Sequence, residues 1–278
     1  MDQVSSLSHV FIPEGSQGSF QSLDISSACL AVSKRLRIGS GVIRILEHEP
    51  TALANRLLTL QELSDNRFIL GIGTGRPSSD PKQTIQSLLE RLHSTREGFR
   101  NFGEPMPHLR MPETIIATLR RGIAKAVTGH SDGILLNFCP PAHVRDLVNS
   151  LDRSSSKLPT VLCYLKLFYS RNEDTARGML VREFASYNRN QNYHEAFESA
   201  GVADDIASAS SALGSNRDVH LSEKLRQISL ANPTRKELAD YVGRFRDAGV
   251  DVPCLYPYFE NNEEEAFKMS KVEEIVQL

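Results

Sequence analysis

The residues of this chain with the plainest chemical potential are glycines, one glutamate and a pair of arginines, each placed where a short apolar run stops. Ile12-Pro13-Glu14-Gly15 closes one such run. A carboxylate there can give a proton or accept a hydrogen bond from a bound ring, although a solvated loop glutamate is the plainer reading. Gly39-Ser40-Gly41-Val42-Ile43-Arg44 closes the next. Two glycines inside a strand mark a bulge, a tight bend or a close approach of ligand to backbone. His48 follows in the loop, where a histidine is most often only solvated.

Leu70-Gly71-Ile72-Gly73-Thr74-Gly75-Arg76-Pro77 invites a dinucleotide-binding reading. The G-x-G-x-x-G spacing fails, however, and Pro77 disfavours a long helix directly after it. A glycine-rich loop at a strand end still lets backbone amides approach a flat ring or a phosphate. Ile116-Ala117-Thr118-Leu119-Arg120-Arg121-Gly122 runs from a strand into a helix. Helix amides with two adjacent arginines make an anion site there, unless both arginines lie on the solvated face. Asn137 ends a later run, placed to hydrogen-bond a ligand or to cap the next turn. Tyr256 and Tyr258 end the last one, and packing on the rim is the favoured reading for both.

These positions need a scaffold that brings strand ends to one side, and the order of elements supplies it. Apolar, β-branched runs at Val10–Pro13, Leu36–Ile43, Arg67–Gly73, Thr114–Leu119, Gly133–Phe138, Val161–Phe168 and Val252–Pro257 read as strands. Helices are expected at about 19–34, 50–64, 82–99, 121–130, 142–151, 233–248 and 262–277. Uninterrupted runs such as Ile134-Leu135-Leu136 suit strands covered on both faces, as parallel sheets require. Pro50 opens one helix, Thr234 with Glu237 forms a capping box for another, and Gly249 closes it in the left-handed region. Alternating β and α units of this kind build a parallel (β/α)8 barrel or a doubly wound sheet. Seven strands are evident, so the first of eight is missing from the expected barrel. Residues 172–230 break the rhythm and read as a helical insertion, rich in small residues from Ala203 to Ser215, inside one domain spanning 1–278.

Composition narrows the function classes. With 278 residues and a net charge of −2, the chain suits one barrel and gives no electrostatic case for nucleic acid. The four cysteines Cys29, Cys139, Cys163 and Cys254 are far apart and form no CxxC pair, so buried thiols in a cytoplasmic protein are expected, with no metal site. No apolar run reaches the roughly 20 residues of a membrane helix. There is no HExxH, G-x-S-x-G, P-loop or interpretable Cys/His pair. This inventory fits a protein whose bound cofactor carries the chemistry.

Leu36 to Val42, Glu49-Pro50 with Ala54, Thr59 to Ser64 and Arg67 to Gly75 together resemble the luciferase-like monooxygenase superfamily. The likeness is greatest to its branch that uses the deazaflavin coenzyme F-420, such as methylenetetrahydromethanopterin reductase. Ser8 to Glu14, Ala117 to Asn137 and Thr234 to Val250 extend it, leaving out 77–110 and 172–230. The resemblance implies a parallel barrel with a non-prolyl cis peptide at Gly41-Val42. It further implies that Gly41, Val42 and Ile43 back the cofactor ring, that Gly73, Thr74 and Gly75 approach it, and that Ala117, Thr118, Leu119, Arg120 and Arg121 hold its phosphate. Glu14 becomes the candidate catalytic acid and Asn137 the candidate substrate contact. Arg76 stands where a sugar-phosphate dehydrogenase of the family carries an acid, which argues against that activity. The implied activity is hydride transfer between coenzyme F-420 and a small or one-carbon-carrier substrate. An FMN-dependent monooxygenase is the alternative, and a non-catalytic or degenerate barrel subunit the other. A homodimer is the expected assembly.

Overall fold

A computed structural model of the chain describes residues 6–15, 20–75, 80–151, 158–215 and 217–278. Arg76 and Met1 to Ser5 therefore lie outside the described residues. The chain divides into two compact units. The first comprises residues 1–118, 125–134 and 152–159; the second comprises 119–124, 135–151 and 160–278.

The first unit contains β1 (His9–Ile12), α1 (Ser22–Val32), β2 (Arg37–Ser40), β3 (Ile43–Arg44), α2 (Pro50–Ser64), β4 (Phe68–Gly73), α3 (Pro81–Gly103) and β5 (Glu113–Ala117). Its strands pair in parallel, β1 with β2, β2 with β4, β3 with β4 and β4 with β5. Every residue of β4 is buried, as its unbroken apolar run demands. The expected single strand Leu36–Ile43 is split: the chain breaks after Ser40 at a cis Gly41-Val42 peptide and resumes as β3. Pro50 at the first helical turn of α2 and the Glu49 carboxylate, which accepts from the Thr51 and Ala52 amides, fix where that helix begins. Asp65 and Asn66, both at positive φ, end it.

The boundary segments are α4 (Arg121–Val127) and β6 (Gly133–Asn137). The second unit continues with α5 (Pro141–Ser150), β7 (Thr160–Tyr169), α6 (Glu173–Asn188), α7 (Gln191–Ser199), α8 (Ala203–Gly214), α9 (Glu223–Arg226), β8 (Leu230–Ala231), α10 (Arg235–Asp247), β9 (Val252–Phe259) and α11 (Glu265–Val276). β7 pairs in parallel with β9 from Leu162↔Val252 to Tyr169↔Phe259 and with the two-residue β8. The capping box at Thr234 and Glu237 and the positive φ of Gly249 stand as the sequence implies.

β7 and β9 differ in a way the sequence encodes. Nine of the ten β7 residues are buried, whereas all eight of β9 are half-exposed. Pro253 and Pro257 have no N–H to give, and their four-residue spacing sets both on one edge of β9. A strand tolerates that only on an unpartnered edge. The helices of 172–230 are not a polar excursion. Leu180, Val181 and Phe184 of α6, Phe197 of α7 and Ile206 of α8 close over Phe138 and Phe168 in one apolar cluster. The architecture is parallel α/β of the TIM-barrel type, with two short strands, β3 and β8, that the sequence pattern does not announce.

Candidate functional site

In the first unit, the strand ends meet at a floor of small residues. Gly71 and Gly73 lie on the same face of β4 because strand side chains alternate. Val42, delivered by the cis peptide, sits over both: a β-carbon on Gly71 would fall 3.2 Å from Val42 Cγ1, and one on Gly73 would fall 3.1 Å from Val42 Cγ2. Gly71 has a stricter reason to be glycine, since its β-carbon would stand 2.0 Å from the Ser40 carbonyl oxygen. The Ser40 hydroxyl donates to the Gly71 carbonyl at 2.8 Å and accepts from its amide at 2.9 Å, which locks β2 against β4. Ala117, at the end of β5, flanks Gly73 on the other side at 4.0 Å. Val42, Gly73 and Ala117 thus form an apolar floor without large side chains, the shape that suits a flat ring.

Beside that floor is a charged group. The Glu14 side chain is only 4% exposed. Its carboxylate accepts from the Arg44 amide at 2.9 Å and lies 3.6 Å from both the Arg44 guanidinium and His48 Nε2. Arg44 also donates to the Gly15 carbonyl and to Glu47. Its aliphatic stem lies beneath Gly75, whose φ of +71° would strain any side chain and whose β-carbon would meet that stem at 3.1 Å. The Arg44 pKa is raised, first by the hydrogen bond to Glu47, with the Glu14 charge adding to it. Glu14 is therefore built into the structure by its neighbours rather than free in a loop. Thr74 is half-buried at the same strand end. Arg44 was missed as a site residue, although its place directly after the Gly-Ser-Gly run was the available signal.

The residues expected to hold a phosphate are divided. Ala117 and Thr118 belong to the first unit, Leu119, Arg120 and Arg121 to the second. Leu119 is packed inward and its carbonyl accepts from His143 Nε2 at 2.8 Å. Arg120 reaches Glu195 of α7 at 4.0 Å, while Arg121 is exposed at the start of α4, which runs only to Val127.

The second unit has its own polar cluster. Asn137 Nδ2 donates to the hydroxyls of Tyr187 and Tyr193, at 3.3 and 2.9 Å, and its Oδ1 is buried without a partner among the described residues. Lys166, in the middle of β7, has a wholly buried side chain. Its ammonium meets Glu183 Oε1 of α6 at 2.5 Å and the Tyr258 hydroxyl at 3.0 Å, and faces the Tyr187 ring at 3.9 Å. Burial pushes the Tyr258 hydroxyl far above its ordinary pKa, with Tyr256 and Glu183 adding to the rise. Sequence reasoning missed Lys166, although a lysine inside an otherwise apolar strand was a signal. Cys163 is fully buried and its thiol is pushed up by desolvation and by Cys139; burial drives Cys254 to about 12. Cys29 is partly exposed and is the exception to the four buried thiols expected, while Cys254 is partly exposed as a residue but has a buried thiol. No group of three metal-ligating side chains occurs among the described residues, and no helix there is long and apolar enough to cross a membrane.

The strand ends floored by glycines belong to a parallel α/β fold of the TIM-barrel type. The sequence profile of the luciferase-like monooxygenases matches residues 3–252, and the chain belongs to that family. Over 48 residues it is 40% identical to 4-hydroxyprotoasukamycin monooxygenase of Streptomyces nodosus subsp. asukaensis; the match spans 17% of this chain and 13% of that protein. Its fold is similar to that of the coenzyme F-420-dependent tetrahydromethanopterin reductase of Methanopyrus kandleri (TM-score 0.65, 13% identity, 97% of this chain and 89% of the other). It is also similar to the oxygenating constituent of 3,6-diketocamphane monooxygenase of Pseudomonas putida in complex with FMN (TM-score 0.60, 12% identity, 99% and 88%). Its family is one of oxidoreductases and monooxygenases.

Proposed function

We propose that this member of the family passes a hydride between coenzyme F-420 and a small or one-carbon-carrier substrate. The observation that carries the reading is the floor of Val42, Gly73 and Ala117, where a flat ring can lie against backbone. The deazaflavin, when bound, supplies two-electron hydride chemistry. The chain supplies the rest. Gly41 to Ile43 and Gly73 to Gly75 hold the ring. Glu14 and His48, 3.6 Å apart, form a pair able to take up or release the proton that accompanies hydride transfer. Arg44 fixes the orientation of Glu14.

The reading is tested by titrating purified protein with coenzyme F-420 and with FMN, following cofactor fluorescence. Binding of coenzyme F-420 that weakens at least about tenfold in Gly73→Val is expected, because a β-branched side chain would fill the floor. Tight binding of FMN alone would replace this reading with the monooxygenase one. That second reading draws its support from the 48-residue likeness to a monooxygenase. Binding of neither cofactor would favour a non-catalytic subunit.

A further inference from the structure

The charged cluster around Lys166 is more than stability requires. A buried ion pair adds little over an apolar pair of the same volume, so a lysine wholly buried in the middle of β7 asks for another use. Lys166 and Phe168 share one face of that strand, and their register partners on β9 are Tyr256 and Tyr258. Cys163, on the opposite face, lies near Tyr241 of α10, the crossover helix between β8 and β9. In a barrel of parallel β/α units the crossover helices lie outside, so Lys166 and the two tyrosines belong to the inner face. Helix α6 covers that face and sets two polar side chains, one turn apart, against it. Glu183 Oε1 accepts from the Lys166 ammonium at 2.5 Å and from the Tyr258 hydroxyl at 3.2 Å. The Tyr187 hydroxyl accepts from Asn137 Nδ2, at the end of β6, at 3.3 Å.

We propose that Asn137, Lys166 and Tyr258 form a binding site for a small aromatic carboxylate that carries a phenolic hydroxyl, and that Glu183 and Tyr187 hold its place. The two side chains of α6 present to these partners the same pair of groups as such a ligand, a carboxylate and a phenol. The ligand carboxylate replaces Glu183 at Lys166 and Tyr258, so one charge-assisted pair is exchanged for another and no charge is left buried alone. Glu183 leaves by turning its side chain, 22% of which already reaches solvent, while Leu180, Val181 and Phe184 keep α6 anchored. Asn137 Oδ1, buried and without a partner among the described residues, is the acceptor that the ligand hydroxyl satisfies. The walls suit a flat ring, since the rings of Phe138, Tyr256 and Tyr258 stand 4.9, 5.8 and 5.1 Å from the Lys166 ammonium.

Isothermal titration calorimetry of the full chain with para-hydroxybenzoate tests the proposal, whichever cofactor the first unit takes. Saturable binding is expected in the wild-type chain, where Glu183 competes for Lys166. Glu183→Gln removes the competing charge and should tighten binding at least about tenfold, since a larger fraction of molecules then has the site open. Asn137→Ala should lower the affinity to that for benzoate. Para-hydroxybenzamide, the same shape without the charge, should bind at least about 100-fold more weakly. Lys166→Met combined with Glu183→Gln, which keeps the volume of the cluster, should abolish binding with the fold retained. Absence of binding to both wild type and Glu183→Gln overturns the proposal. So does binding that the amide matches, that Glu183→Gln fails to tighten, or that survives in the double variant. If Glu183→Gln alone does not fold, the wild-type titration and the double variant decide the matter.

Discussion

The two units solve the same problem at their strand ends in opposite ways. In the first, glycines and small residues line the ends of β4 and β5 beneath Val42, and a buried carboxylate, Glu14, is held at the margin by Arg44 and His48. In the second, the ends of β7 and β9 are covered by α6 and α7, and the buried charge sits in the middle of an aromatic cluster. A bare backbone surface binds flat groups and contributes little to the core. A filled one gives stability and leaves little for a ligand to touch. The contrast predicts that substitutions in the second unit act mainly on stability, and that those in the first divide between stability and binding.

The largest effect should come from Lys166→Ala, which leaves Glu183 without its cation and with only the Tyr258 hydroxyl donating to it. Loss of one partner of a buried pair costs about 3–5 kcal/mol, read as a fall in the urea midpoint. Lys166→Met combined with Glu183→Gln should recover much of that loss, because the volume is kept and no charge is stranded. If Lys166→Ala is as stable as wild type while cofactor binding fails, the division of roles between the units is reversed. Gly71→Ala comes next. Its β-carbon meets the Ser40 carbonyl, which is backbone and gives way only by moving β2, so a loss of about 2–3 kcal/mol is expected. Gly73→Ala is the sharper probe, since only the tip of Val42 must shift. It should cost under about 1 kcal/mol in stability while weakening cofactor binding. Equal destabilisation by the two alanines would mean that both glycines serve packing alone.

Glu14→Ala tests the margin of the bare site. It leaves the Arg44 amide without its acceptor, while the Arg44 guanidinium keeps Glu47 and the Gly15 carbonyl. A loss of about 1–3 kcal/mol is expected in chemical denaturation. Glu14→Gln, which can still accept from the Arg44 amide, should be close to wild type in stability and impaired in turnover. Equal activity of the Gln variant would remove Glu14 from proton handling and leave it a purely structural role.

What could be read from the sequence follows from which forces are local. The run Phe68–Gly73, the start of α2 at Pro50 and the Thr234–Glu237 cap depend on residues within a few positions of one another, and all were legible. The cis peptide at Gly41-Val42 was reached through family likeness, since glycine followed by valine has no local signature for it. The pairing of Glu14 with Arg44 and His48 spans about thirty residues, so no spacing rule could announce it. The same holds for Lys166 with Glu183 and Tyr258. The split of Leu36–Ile43 into β2 and β3 was hinted at by its two glycines, which mark a bend, but its extent was not legible. The helices of 172–230 were legible as helices, but their role as part of a core was not. Their aromatic residues are thinly spread along the chain and converge on Phe138 and Phe168 only in three dimensions.

A small effect, of about the size expected for local changes, belongs to the cap of α10, and it fixes the baseline for the others. The Glu237 carboxylate accepts from the Thr234 amide and hydroxyl, and those bonds hold its pKa below the ordinary 4.5, with Arg226 contributing less. A carboxylate whose pKa is lower folded than unfolded contributes stability that is complete above pH 4.5. That contribution disappears as the pH falls through the lower, folded value. The group is partly exposed, so water and salt screen much of this. Thr234→Ala should therefore cost only about 1 kcal/mol at neutral pH. It should also flatten the acid limb of the stability profile below pH 4.5. A variant that keeps the wild-type acid limb would show that other carboxylates, Glu49 at the head of α2 first among them, govern stability there, because two amides hold Glu49 low in the same way.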